Sequence, residues 1–233
     1  MIEVRKLLKT FGHRAVLRGV NLTINEGDFV ALLGANGAGK TTLMHIIANL
    51  SKPTAGDIFI NGYRLADAAG QLRRFMGLVS HKTLLYNDLT ANQNLRFYAR
   101  MYDIVNPAER IEEVLTQVGL WERRNDPVRT YSRGMQQRLA IARSILHNPP
   151  ILLLDEPDTG LDQHAASMLG DLLSAVGISQ RTILMTTHNL ERGLLLGNRV
   201  VILAQGKIAY DTQREDVSTE ELRQQYYKYV TVN

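Results

Sequence analysis

Apolar and polar residues alternate in some stretches of the chain and run together in others. Ile2 to Leu8 is short and apolar-rich, and Val20 to Ile24 alternates as a half-buried strand does. After an Asn25-Glu26-Gly27-Asp28 turn, Phe29 to Leu33 is a wholly apolar run of strand length. A glycine-rich loop, Gly34 to Gly39, follows; then Leu43, Ile46, Ile47 and Leu50 recur at helical spacing. Asp57 to Gly62 reads as a strand ending in an Asn-Gly turn, and Met76 to Val79 as another strand. Thr90 and Gln93 form a capping-box pair, and Asn106-Pro107 a cap with proline at the first helical position. The helix after Pro107 carries Ile111, Val114, Leu115 and Val118 on one face and stops at Gly119. A further helix covers Gly134 to Leu146. Ile151 to Leu154 and Thr182 to Met185 are buried strands around a helix from Ala165 to Val176. Val200 to Leu203 and Lys207 to Tyr210 suggest a hairpin, and Ser218 with Glu221 caps a short final helix.

The order is β-rich, then α/β, then helical, then α/β again. This predicts one domain over 1–233. A core with its β subdomain occupies 1–84 and 149–215, a helical subdomain is inserted at 85–148, and a C-terminal helix or tail fills 216–233. The 233 residues suffice for one core.

Charge and composition narrow the function classes. The formal charge of +4 comes from scattered basic residues, without the dense Lys/Arg run of a nucleic-acid arm. Without cysteines there is no disulfide or thiolate metal site. Met1 to Arg5 lacks the apolar core of a signal peptide, and no apolar run approaches the ~20 residues of a spanning helix. Work at a membrane would need a spanning partner.

Gly34-Ala35-Asn36-Gly37-Ala38-Gly39-Lys40-Thr41 matches G-x-x-x-x-G-K-[ST], between a predicted strand and a predicted helix. Such a loop turns backbone N–H groups and a helix N-terminus toward phosphate. Lys40 can neutralise the β- and γ-phosphates, Thr41 can place its hydroxyl on Mg²⁺, and Thr42 can bind the α-phosphate. The strand Ile151 to Leu154 ends in Asp155 and Glu156. Asp155 is placed to hold Mg²⁺, and Glu156 to act as general base toward an attacking water.

Tyr131-Ser132-Arg133-Gly134-Met135-Gln136-Gln137-Arg138, just before that strand, resembles the signature of the ABC ATPase family, usually Leu-Ser-Gly-Gly-Gln and a basic residue. Ser132 and Gly134 match; Arg133 and Met135 depart from it. The resemblance covers nearly the whole chain. It implies an α/β P-loop NTPase fold: a RecA-like core sheet, an N-terminal antiparallel β subdomain and an inserted α-helical subdomain. It also implies ATP and Mg²⁺ as ligands. Two such domains, either two copies or this chain with a homologous ATPase, would close head-to-tail. Ser132, Arg133 and Gly134 would then serve the partner's ATP. Thr159-Gly160-Leu161-Asp162 resembles the D-loop, in which Asp162 helps join the two sites. His188 resembles the switch histidine that contacts the γ-phosphate, and Phe11 the aromatic that stacks on adenine; ordinary core packing is the competing reading of Phe11.

A transport member would act on the inner face of the cell membrane through a transmembrane permease. Ser80 to Tyr86 and Asn94 to Tyr102 resemble the ATPase subunits of haem exporters for cytochrome c maturation, although related drug, antibiotic and polysaccharide exporters share much of them. A non-transport ABC ATPase stays open as the alternative, though one P-loop and only short helices before the signature count against it. The family's Q-loop glutamine is replaced by His81, with Lys82 beside it. If the imidazole takes the glutamine's role, turnover becomes pH-sensitive in the histidine range. On that reading His81→Gln flattens the pH profile of ATP hydrolysis. An unchanged profile leaves His81 as loop support only.

Overall fold

In the computed structural model, residues 1–80, 82–159, 161, 167–170, 172 and 181–230 are described. Two sheets form its frame. Strands β1 (Ile2–Phe11), β2 (Arg14–Ile24), β4 (Ala55–Ile60) and β5 (Tyr63–Arg64) make an antiparallel sheet in the order β2-β1-β4-β5. The second sheet runs β10-β9-β3-β8-β7-β6, from β3 (Phe29–Leu33), β6 (Met76–Val79), β7 (Ile151–Asp155), β8 (Thr182–Thr187), β9 (Arg199–Ala204) and β10 (Lys207–Gln213). Its pairings are parallel except for the β9–β10 hairpin. Both faces of a parallel sheet are covered, so its strands read as unbroken apolar runs. Accordingly β3, β7 and β8 are buried at every position.

Helix α1 (Lys40–Ile47) follows the glycine loop and buries Leu43, Met44, Ile46 and Ile47 between the two sheets. Leu50, expected on that helical face, lies past its end and is 59% exposed. Strands β1 and β2 run beyond their apolar cores because each keeps its partner's hydrogen bonds through several bulges. Two short helices escape the sequence reading: α2 (Leu65–Leu72), kinked at Ala68, and α6 (Leu190–Leu196). Each spans about two turns, too few for a periodic pattern to declare itself. The predicted helix from Ala165 to Val176 falls mostly outside the described residues, of which 167–170 are helical.

The helical part comprises α3 (Ala91–Met101), α4 (Pro107–Gln117) and α5 (Arg133–Ile145). The Thr90–Gln93 capping box forms in full. Asn106 does precede α4, but it takes a left-handed conformation and caps nothing with its side chain; Pro107 at the first turn sets the start. Ile111, Val114, Leu115, Leu139 and Ile145 join one apolar cluster that continues under β7 and β8. Strand β6 lies close against α5. A Cβ on Gly77 would stand 2.2 Å from the Ser144 carbonyl oxygen, so only glycine fits there.

A half-buried polar seam runs between α3, α5 and β6. The ring of His147 stacks on Tyr102 at 3.8 Å and 4°, and its Nε2 lies 3.2 Å from the Met76 carbonyl. Burial pushes the His147 pKa down to about 4, against the opposing pull of the Met76 carbonyl. The neutral ring is the folded form, while an unfolded chain protonates histidine near pH 6.5. Between those values the unfolded state binds more protons, so this group costs stability as pH falls through 6.5 and the cost levels off below about 4. His147→Gln removes that term. Relative to the wild type, the variant gains about 2 kcal/mol between about pH 7 and pH 4.5 in paired urea titrations; a pH-independent difference contradicts the assignment.

Candidate functional site

The C-terminal ends of β3, β7 and β8 reach one level of the sheet, where ligands bind in α/β folds. After β3 the chain curls through Gly34 to Gly39 into α1. Gly39 takes φ 110°, and a Cβ there would sit 2.8 Å from Leu17 Cδ2, so the loop closes tightly on β2. Ala38 is buried, while Asn36 and Gly37 stand at the mouth. Lys40 is 4% exposed; its Nζ donates to the Gly34 carbonyl at 2.9 Å and the Ala35 carbonyl at 3.2 Å. The ammonium thus spans the loop from inside. Burial lowers its pKa, and the carboxylates of Glu156 and Asp155 oppose that shift.

Asp155 ends β7 and is 2% exposed. Its Oδ1 accepts from the Thr41 hydroxyl at 3.1 Å and from the Thr186 hydroxyl at 2.7 Å. His45 Nε2 stands 4.0 Å from Oδ2. Pairing of Asp155 with Thr186 in the β7–β8 ladder places that hydroxyl. The same hydroxyl accepts from the Glu156 N–H at 3.0 Å, so it serves both acidic residues. Glu156 turns out of the strand with φ 46°, a left-handed conformation unusual for a side-chain-bearing residue. Its carboxylate lies 3.6 Å from Lys40 Nζ and 3.6 Å from His188 Nδ1, and it accepts from the Thr159 hydroxyl at 3.1 Å. His188 follows β8 and is half exposed.

A cavity of about 500 Å³ opens over this cluster, lined by Arg14, Val16, Gly39, Lys40, Thr41, Thr42, Asp155 and Glu156 among others. Phe11 does not line it. Its ring is 54% exposed, with the Lys9 ammonium 4.7 Å from its centroid, so ordinary core packing does not describe it. Ser132 caps α5, accepting from the Met135 N–H at 3.3 Å. Arg133 points toward the segment after β7 and donates to the Thr159 carbonyl at 2.9 Å. None of Ser132, Arg133 and Gly134 lines the phosphate-loop cavity; Arg133 instead borders a second one, of about 730 Å³, with Lys82, Gln136, Glu156 and Thr159. His81 and Asp162 lie outside the described residues.

Thr186 joins the site without being announced by any motif. The only clue is a polar Thr186-Thr187 pair that closes the strand after the apolar run Ile183 to Met185. Arg14 at the cavity mouth had no such clue.

A glycine loop between strand and helix, with a buried lysine and an acidic strand end beneath it, defines a P-loop ATPase. Residues 17–159 match the ABC transporter family, and the chain belongs to it as an ATP-binding, ATP-hydrolysing domain. The linearmycin resistance ATP-binding protein LnrL of Bacillus subtilis (strain 168) is 31% identical over 210 residues, 89% of this chain and 68% of that protein. The Nod factor export ATP-binding protein I of Cupriavidus pinatubonensis (strain JMP 134 / LMG 1197) is 33% identical over 209 residues, 89% of this chain and 64% of its own length. The dimeric post-hydrolysis state of the ATP-binding cassette MJ0796, bound to ADP and Pi, superposes with TM-score 0.82 at 30% identity, over 92% of this chain and 99% of that one.

Thr186→Val deprives Asp155 of one donor and the Glu156 N–H of an acceptor. It is expected to cost about 1–3 kcal/mol of stability in denaturant titration and to lower kcat for ATP about tenfold. Thr186→Ser, which keeps the hydroxyl, is expected to retain both. Full activity in the valine variant would remove Thr186 from the site.

Proposed function

We propose that this chain is the ATPase subunit of an ABC exporter, and that it holds half of each of two composite ATP sites. The observation that carries the reading is the division of the motif residues between two cavities. Lys40, Thr41, Thr42 and Asp155 line one, whereas Ser132 to Gly134 are absent from it and Arg133 borders the other; Glu156 lies between the two and lines both. A single chain thus leaves its signature unused by its own phosphate loop. A head-to-tail pair, of two copies or with a homologous ATPase, supplies it. The dimeric form of the MJ0796 cassette supports such pairing.

Within one site, Gly34 to Gly39 and Lys40 bind the phosphates through N–H groups and one ammonium. Thr41 and Asp155 fit Mg²⁺: they are hard oxygen donors that meet at 3.1 Å, and this ion keeps most of its positions for phosphate and water. When bound, Mg²⁺ would offset the charge of the β- and γ-phosphates. Glu156 takes a proton from the water that attacks the γ-phosphorus, while the bond to the β-phosphate oxygen breaks and ADP leaves. His188, within 3.6 Å of Glu156, contacts the γ-phosphate and orients that carboxylate. Asp162 joins the two sites, His81 takes the glutamine place, and Phe11 swings onto the adenine; each of these three roles rests on the family resemblance.

No helix among the described residues is long and apolar enough to cross a membrane. Coupling to transport therefore runs through a transmembrane permease, with this chain at the cytoplasmic face. The relatives named for linearmycin resistance and Nod factor export support export. Haem as cargo rests on the stretches 80–86 and 94–102 alone and finds no support in those names.

The test is Glu156→Gln, which keeps the side chain's shape and removes its basicity. It is expected to bind ATP, hydrolyse it at least about 100-fold more slowly, and run as a dimer in size-exclusion chromatography with ATP but as a monomer with ADP. A variant that binds ATP and stays monomeric sinks the composite-site reading.

A further inference from the structure

His188 sits on a two-residue step between β8 and α6, and a half-exposed side chain there has little packing to aim it. Its neighbours are held locally. The Asn189 N–H donates to the Thr187 hydroxyl at 3.0 Å, and Asn189 Oδ1 accepts from the Arg192 N–H at 3.1 Å. The His188 carbonyl is held from elsewhere. The Tyr226 hydroxyl, on helix α7 (Thr219–Val230), donates to it at 3.2 Å.

Helix α7 is firmly seated. Leu222 is wholly buried against Leu33, Val200 and Ile202, with Tyr226 and Tyr229 packed on the same cluster. Arg223 pairs with Glu191 of α6 at 2.5 Å. Leu33 is the last residue of the strand that feeds the phosphate loop. The helix is therefore a strut with one end on the phosphate-loop strand and the other on the peptide that carries His188. Rotation of that peptide would swing the imidazole away from Glu156, and displacements of about 1 Å at reacting groups cost rate heavily.

We propose that Tyr226 is a positioning residue for hydrolysis. By holding the His188 carbonyl it fixes the imidazole relative to Glu156 and the γ-phosphate. The inference rests on His188 acting at the γ-phosphate, a role that His188→Ala tests separately.

The experiment is Tyr226→Phe in the full chain, which removes only the hydroxyl and leaves the ring packed. The expected result is a fall in kcat of about two- to tenfold, the rate equivalent of one neutral hydrogen bond. KM for ATP and the melting temperature are expected to stay at wild-type values. In a His188→Ala background, adding Tyr226→Phe is expected to leave single-turnover hydrolysis unchanged. An unchanged kcat in Tyr226→Phe, an equal loss in both backgrounds, or a loss that tracks a lowered melting temperature each overturns the proposal. Full activity in His188→Ala overturns the role of His188 itself.

Discussion

The Asp155 carboxylate is the constraint around which the rest of the site is arranged. A carboxylate this deeply buried must find donors or cost several kcal/mol. It finds them in Thr41 on α1 and Thr186 on β8, so three elements that are far apart in sequence are tied at one atom, Oδ1. The tie requires β3, β7 and β8 to end at the same level. A parallel sheet with these registers delivers that, and the antiparallel sheet and α1 pack behind it to keep the loop closed.

Glu156 shows what the tie makes possible. A glutamate at φ 46° carries a local backbone cost, which persists only where the surroundings over-determine the conformation. Here its N–H is held by both the carbonyl and the hydroxyl of Thr186. The strain lifts the side chain off the sheet and into reach of Lys40, Thr159 and His188 at once. Extended continuation of β7 would instead send the same carboxylate to the sheet face opposite that of Asp155.

Much of this was legible in the residues. Phe29 to Leu33 matched its strand end to end, because a fully buried parallel strand is an uninterrupted apolar run. The phosphate loop and the acidic strand end declared themselves through spacing and context. Thr186 did not, since its role arises from a cross-strand partner 31 residues away, and no local pattern encodes register. Arg14 was silent for the same reason: it belongs to the site only because β2 passes over the loop. Phe11 comes to the adenine by resemblance alone: its ring stands outside the cavity lining, with the Lys9 ammonium 4.7 Å from its centroid. Asn106 carried a cap's identity without a cap's hydrogen bond, because its left-handed backbone turns the side chain away.

The helical part is fastened to the core at few but demanding points, and these say how it can follow the site. Arg143 of α5 is buried with no carboxylate partner among the described residues, and burial lowers its pKa. It donates to the Leu78 carbonyl of β6 at 2.7 Å and lies 5.2 Å over the ring of Tyr98 on α3. Tyr98 in turn donates to the Leu84 carbonyl, in the segment that follows β6. One guanidinium therefore links the signature helix, its neighbour α3 and the last turn of a strand paired with β7. Since a buried cation cannot let go of its acceptor cheaply, α5 and the Leu78 end of β6 are constrained to move together. Arg133, at the other end of α5, holds the Thr159 carbonyl, and Thr159 holds Glu156. Helix α5 is thus attached through Thr159 to Glu156 at its N-terminus and to the Leu78 carbonyl of β6 near its C-terminus. A displacement of Glu156 therefore has a chain of contacts, through Thr159, Arg133, α5 and Arg143, along which to reach β6 and Tyr98.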